Sequence, residues 1–165
     1  LVRALYLAVV VVVAASLTAV GVLVYTTLAA PKIEVHSPFL RRGTASSGVF
    51  FIAHNHGLLE SCIVAAEMVD VPGFRVELHK TEVREGKVVM VPVSKICVPG
   101  GGEVKALGIE GDGYHLMILG KLPDDIKKVR IRLYLENGSS LEFEAAEQEL
   151  EVPGADHHGE HMGGQ

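Results

Sequence analysis

Tryptophan is absent from the 165-residue chain, aromatic residues make up 5% of it, and cysteine occurs only twice. Cys62 and Cys97 stand in no C-x-x-C or other zinc-ligand spacing. They read first as small buried hydrophobes, with a disulfide as the alternative in an oxidising compartment. No Lys/Arg cluster interleaved with aromatics occurs, and the formal net charge is -5, so nucleic acid is not an expected partner. Ser-His-Asp spacing, a phosphate-cradling glycine loop ahead of a helix and a paired-acid constellation are all missing, which argues against an enzyme. What is present is abundant valine and 18 glycines, a balance that favours short strands and turns over long helices.

The exception is the N-terminus. From Ala4 to Ala30 the chain carries no charge. A helix crossing a bilayer core needs about 20 apolar residues, whereas the apolar part of a cleaved signal usually runs to about 7–15. Residues 1–31 are therefore expected to be an uncleaved membrane anchor. The small residues before Pro31 make a cleaved, secreted form the alternative. Arg3 precedes the span, but Lys32, Arg41 and Arg42 follow it. Counted literally, these charges do not favour an exported C-terminal domain; the metal chemistry below does.

After the anchor about 130 residues remain, enough for one domain with its own core. Residues 33–36 start a short strand, Val49 to Ala53 form another, and "LESCIVAA" follows as a third. In "FRVELHK", Phe74, Val76 and Leu78 face one way and Arg75, Glu77 and His79 the other. "KVVMVPV" is a strand whose Pro92 marks an edge or a bulge, and "VPGGGEV" is a turn. Near the end Val129, Ile131, Leu133 and Leu135 alternate with polar residues. Asn137-Gly138 turns the chain because both tolerate positive φ, and Leu141 and Phe143 return on the inner face. Strands at this spacing indicate an all-β sandwich or barrel over residues 32–151. Residues 152–165 have no periodicity and are expected to be a disordered tail.

Within "DGYHLMILG", alternation puts His115, Met117 and Leu119 on one face and Tyr114, Leu116 and Ile118 on the other. An imidazole and a thioether then lie side by side, roughly 7 Å apart along the strand. Thioether with imidazole is a soft donor set suited to Cu(I); zinc rarely takes methionine, and magnesium and calcium want oxygen. His79 and Met90 lie on segments joined as a hairpin, so a pairing of strands can bring His79, Met90, His115 and Met117 around one ion. Taken singly, each of these residues is more often core packing or a satisfied polar group.

The stretch "RVELHKTEVREGKVVMVPVSKICVPGGGEV…GYHLMILGKL" resembles the PCuAC family of exported copper chaperones. That family reads as His, ten residues, Met, twenty-odd residues, then His-x-Met; here His79 and Met90 enclose ten residues and "HLM" supplies His115 and Met117. The interval before His115 is slightly longer, an insertion placed at "GIEGDG". The similarity runs from about Ile33 to Leu150 and takes in "HNHG", where Asn55 and Gly57 match an N-x-G turn, and "VPGGGEV", which matches a glycine turn before a strand. The resemblance implies a cupredoxin-like Greek-key β-sandwich that holds one Cu(I) through His79, Met90, His115 and Met117. It implies delivery to the binuclear copper centre of a haem-copper terminal oxidase at the extracytoplasmic face of the membrane. The two cysteines depart from the family pattern and leave open whether thiols also touch the metal.

The other histidines divide in two groups. His54 and His56 share a face by alternation but read, with His36, as exposed turn residues. His157, His158, His161 and Met162 in the tail are candidates for a second, accessory copper site. Two other functions stand against the chaperone. An electron-transfer cupredoxin needs a Cys thiolate beside its His and Met ligands, yet Cys97 lies far before His115. A membrane-anchored β-sandwich acting as a binding or assembly module without metal is the remaining alternative.

Overall fold

The computed structural model describes residues 2–148. An apolar helix, α1 (Val2–Ala29), leads into ten strands: β1 (Ile33–Arg42), β2 (Ser46–Asn55), β3 (Ser61–Met68), β4 (Arg75–Arg84), β5 (Lys87–Pro92), β6 (Ile96–Val98), β7 (Glu103–Ala106), β8 (Tyr114–Leu119), β9 (Lys128–Leu135) and β10 (Ser140–Glu147). A single 3-10 turn, Gly108–Glu110, lies between β7 and β8.

The helix is long and apolar enough to cross a membrane, with a candidate span of Val2–Thr27. Its hydroxyls do not spoil that surface. Ser16, Thr18 and Thr27 donate to carbonyls four residues back and Thr26 to one three back, so each is satisfied inside the helix.

The strands run in the order β5-β4-β8-β2-β1-β10-β9-β3-β6, with β7 beside β2. All pairings are antiparallel except β1 with β10. The long strand β2 uses its first half against β8 and its second half against β7. The sheet closes over a core of alternating residues: Val49, Phe51 and Ala53 from β2, Leu116 and Ile118 from β8, and Val129, Ile131 and Leu133 from β9 are all fully buried. The result is a mixed, mostly antiparallel domain resembling a cupredoxin-like sandwich. Pro92 ends β5 at the sheet edge, where its missing N–H costs no ladder bond.

Three local features differ from the sequence reading. The first strand is longer than residues 33–36: it continues to Arg42 by shifting register between His36 and Phe39, with Ser37 at φ 48°. In the β9–β10 turn only Gly138 takes positive φ. Asn137 instead accepts hydrogen bonds from the Ser139 N–H and hydroxyl through its Oδ1. Cys62 and Cys97 are not separate hydrophobes: they face each other across β3 and β6 and are joined as a disulfide.

Two polar knots hold the sandwich. Asn55 is fully buried, and every polar atom of its side chain is used. Its Oδ1 accepts from Lys32 N and Gly57 N, and its Nδ2 donates to Leu59 O and Val98 O. This joins the start of β1, the end of β2 and the beginning of the Pro99–Gly102 turn. Gly57 is required here because a Cβ would lie 2.1 Å from Ala30 O. At the other end Arg42 pairs with Glu147 at 3.0 Å and donates to the carbonyls of Leu122, Pro123 and Ile126.

Replacing Asn55 by Ala should cost about 2–4 kcal/mol, because several buried backbone groups lose their partners together; denaturant unfolding of the detergent-solubilised chain measures it. The hydrogen bonds from Arg42 and then Lys127 hold the Glu147 carboxyl below its ordinary range. A carboxylate with a depressed folded pKa stabilises above its unfolded value and loses that contribution as pH falls through the folded one. Glu147→Gln should therefore lower the melting temperature at neutral pH, with the difference closing in acid.

Candidate metal centre

The candidate site is produced by strand register. Along β4 and β8, His79 stands opposite His115 and Glu77 opposite Met117. Along β4 and β5, Thr81 stands opposite Met90. Directly paired residues project to one face of a sheet, so Glu77, His79, Thr81, Met90, His115 and Met117 share the outer face. The intervening Leu78, Leu116 and Ile118 go to the core. On the next strands Gly48 lies beside Met117, Phe50 beside Phe39, and Arg41 beside Gly48. Glycine at 48 is a packing requirement, since a Cβ there would lie 2.7 Å from the Phe50 ring.

His79 and His115 are buried although they occupy the outer face, with relative exposures of 7% and 2%. Their ring centroids are 5.8 Å apart. The His115 ring stacks on Phe50 at 5.6 Å, and Phe50 stacks on Phe39 at 5.2 Å. The insertion near "GIEGDG" forms the 3-10 turn, which brings Leu107, Gly108 and Ile109 over His115 and Met90 in a cleft of about 150 Å³. An adjoining cleft of about 160 Å³ is lined by Met90, His115, Met117, Arg41, Ser47 and Phe50 among others. His79 lines neither cleft and adjoins the site through His115. Met90 is 54% exposed on the edge strand, which leaves its thioether open to solvent.

Each imidazole has one engaged nitrogen and one without a partner. His79 Nε2 lies 3.0 Å from a Glu77 carboxylate oxygen, while its Nδ1 is buried and unpaired. His115 Nδ1 faces the Thr81 hydroxyl at 3.5 Å, while its Nε2 is buried and unpaired. Orphaned buried polar atoms are costly and call for an explanation. A metal-ligating histidine characteristically engages its other nitrogen with a carboxylate or another oxygen, which fixes ring orientation and tautomer. Burial, the largest influence on His115, pushes its pKa below the ordinary value and favours the neutral imidazole that ligates metal. The Glu77 carboxyl is held below its usual range by its hydrogen bond to His79 and by Arg75. Two buried imidazoles, each with an unpartnered nitrogen, thus share a face with two thioethers, a donor set that fits a metal ion.

The structure also brings together residues that the sequence reading set apart. His36, His54 and His56 are not scattered turn residues: His36 lies in β1 and His54 in β2, and one ring nitrogen from each of the three lies within 4.8 Å of the other two. The alternation of His54 and His56 was visible in the sequence; the approach of His36 depends on the β1–β2 register. A second grouping, Glu60 with Cys62 and Cys97, has the same compactness. Its sulfurs are bonded to each other, so it offers no thiolate, and no cysteine is free. His157, His158, His161 and Met162 lie outside the described residues.

Comparison with known proteins agrees with this architecture. The copper-bound PCuAC domain from PmoF2 superposes with a TM-score of 0.53 at 16% identity, covering 71% of this chain and 92% of that one. The apo PCuAC domain from PmoF1 gives 0.53 at 17% identity, covering 71% and 93%. At such identities the likeness is one of fold. No curated protein matches the chain. The family model described as "Putative lipoprotein LpqE-like" matches residues 17–147. That match spans most of the sequence, and the chain belongs to the LpqE-like family.

Proposed function

We propose that this protein is a membrane-anchored copper chaperone that carries one Cu(I) on His79, Met90, His115 and Met117. The observation that carries the reading is the cross-strand pair His79–His115, with one orphaned buried nitrogen on each ring, on the face that also bears both methionines. Two imidazoles and two thioethers form a neutral, soft set, matched to Cu(I) and poorly matched to zinc or to hard cations. Glu77 and Thr81 are positioning residues that hold the two rings by their other nitrogens.

Binding and release divide between the two sides of the site. His79 and His115 are buried, and with the half-buried Phe50 stacked on His115 they form the wall of the site. Met90, exposed on the edge strand, is the donor that an acceptor protein reaches first, and its unbranched thioether adjusts without disturbing the core. Transfer then proceeds by exchanging one neutral donor for another. The recipient implied by the PCuAC resemblance is the copper-accepting subunit of a haem-copper terminal oxidase. The α1 helix would hold the carrier at the same membrane. The Cys62–Cys97 disulfide belongs to an oxidising compartment, which supports an extracytoplasmic domain despite the basic residues after the span. With both thiols bonded, neither Cys62 nor Cys97 is free to carry a thioether-linked lipid. The same bond removes the thiolate that a blue electron-transfer centre needs.

Competition titration against a Cu(I) chelator tests the reading. Met117→Leu, close in volume, should weaken Cu(I) by roughly tenfold or more, about 1.4 kcal/mol, while leaving thermal stability nearly unchanged; His115→Ala should weaken it further. Unchanged affinity in both variants would take the ion off this face, and absence of Cu(I) binding by the parent chain would point instead to a binding or assembly module without metal. Glu77→Gln should lower affinity by about 10–100-fold, the usual range for a residue that orients a ligating histidine.

A further inference from the structure

Outside the His/Met face, the densest group of metal-ligating side chains is His36, His54 and His56 with Glu34. We propose that these residues form a second metal site, for a divalent borderline cation of the Zn(II) and Cu(II) class, at the end of the sandwich next to α1.

The fold assembles this group from two strands. Glu34 pairs with His54 and His36 with Ile52 in the β1–β2 ladder, so all lie on the outer face. His56 follows two residues after His54 and returns to the same side, where its ring meets that of His54 edge-on at 4.3 Å. The His36 ring is 6.4 Å from that of His54. One ring nitrogen from each of the three lies within 4.8 Å of the others. Ligand nitrogens around a zinc ion at about 2.0–2.1 Å are closer together than this, and side-chain rotation of partly exposed histidines covers the difference.

Glu34 supplies the charge. Its Oε2 lies 2.8 Å from His56 Nε2 and 3.9 Å from His36 Nε2, bridging two rings. On the far side of His54, Glu103 of β7 is its cross-strand neighbour, with its carboxylate 3.5 Å from Lys105. Three imidazoles and a carboxylate are the donors of zinc and Cu(II) sites. No thioether is present, and the added carboxylate suits a divalent ion better than the neutral donors of the His/Met set do. The backbone beneath is fixed. Asn55, between His54 and His56, is the fully bonded buried residue of the fold, and His56 N donates to Lys32 O. The ligands thus stand on a rigid base while their side chains remain accessible, His36 and His56 being 47% and 42% exposed.

The two sites are separate. From Phe50, which stacks on His115, to His54 is four residues of strand, on the order of 13 Å. The second site does not depend on the first being a copper site.

The test uses the full chain in detergent with His157→Gln, His158→Gln and His161→Gln, which silences the tail, and Zn(II) as the probe in equilibrium dialysis. The expected result is one Zn(II) per chain, accompanied by a melting temperature that rises with Zn(II) concentration. Adding His54→Gln and His56→Gln should abolish both effects, whereas adding Met90→Leu and Met117→Leu should leave both intact. Because the substituted rings lie on the outer face, half-buried or exposed, circular dichroism and metal-free melting should match the parent, separating loss of the site from loss of fold. Absence of Zn(II) binding in the tail-silenced chain, or binding that survives His54→Gln and His56→Gln, would overturn the proposal. Loss of Zn(II) on substituting the methionines would overturn it too, by assigning the ion to the other site.

Discussion

The register of β4 against β8 is the constraint on which the rest depends. With His79 opposite His115, six polar or sulfur-bearing residues of three strands fall on the outer face while Leu78, Leu116 and Ile118 go inward. A slip of one residue would reverse every side chain, driving imidazoles into the core and leucines into water. The hydrophobic core therefore enforces the geometry of the candidate site. The cost of burying two imidazoles with one unpaired nitrogen each is sustained by that core and would be relieved by a bound ion.

The same register explains how one domain presents two donor sets of different character. The outer face of β2 runs from Gly48 beside Met117, through Phe50 beneath His115, to His54 beside Glu34. One end carries two thioethers beside two buried imidazoles; the other carries three half-buried or exposed imidazoles flanked by carboxylates. The disulfide and the buried Asn55 line neither cleft of the His/Met face, while Arg42, paired with Glu147, lines the cleft that holds Met90, His115 and Met117.

Much of this was legible in the sequence where the period of the chain carries the information. Alternation in "YHLMIL" and in "VRIRLYL" separated the two faces of each strand, and the run from Ala4 announced the helix. Pro92 marked the edge because its missing N–H has that consequence anywhere. Contacts between distant segments were less legible. Nothing local to His36 shows that it will approach His54, since that depends on pairing across a turn and on a register shift at Ser37–Pro38. Cys62 and Cys97 likewise meet only because β3 and β6 pair. Glu77 could be read as a polar-face residue, but its role beside His79 requires the side-chain geometry.

The most direct test of the account is X-ray absorption at the copper edge on the full chain loaded with one equivalent of Cu(I). The account predicts mixed sulfur and imidazole scattering, with the sulfur contribution removed in the Met90→Leu/Met117→Leu chain. A first shell of nitrogen and oxygen alone, unchanged by those substitutions, would contradict it.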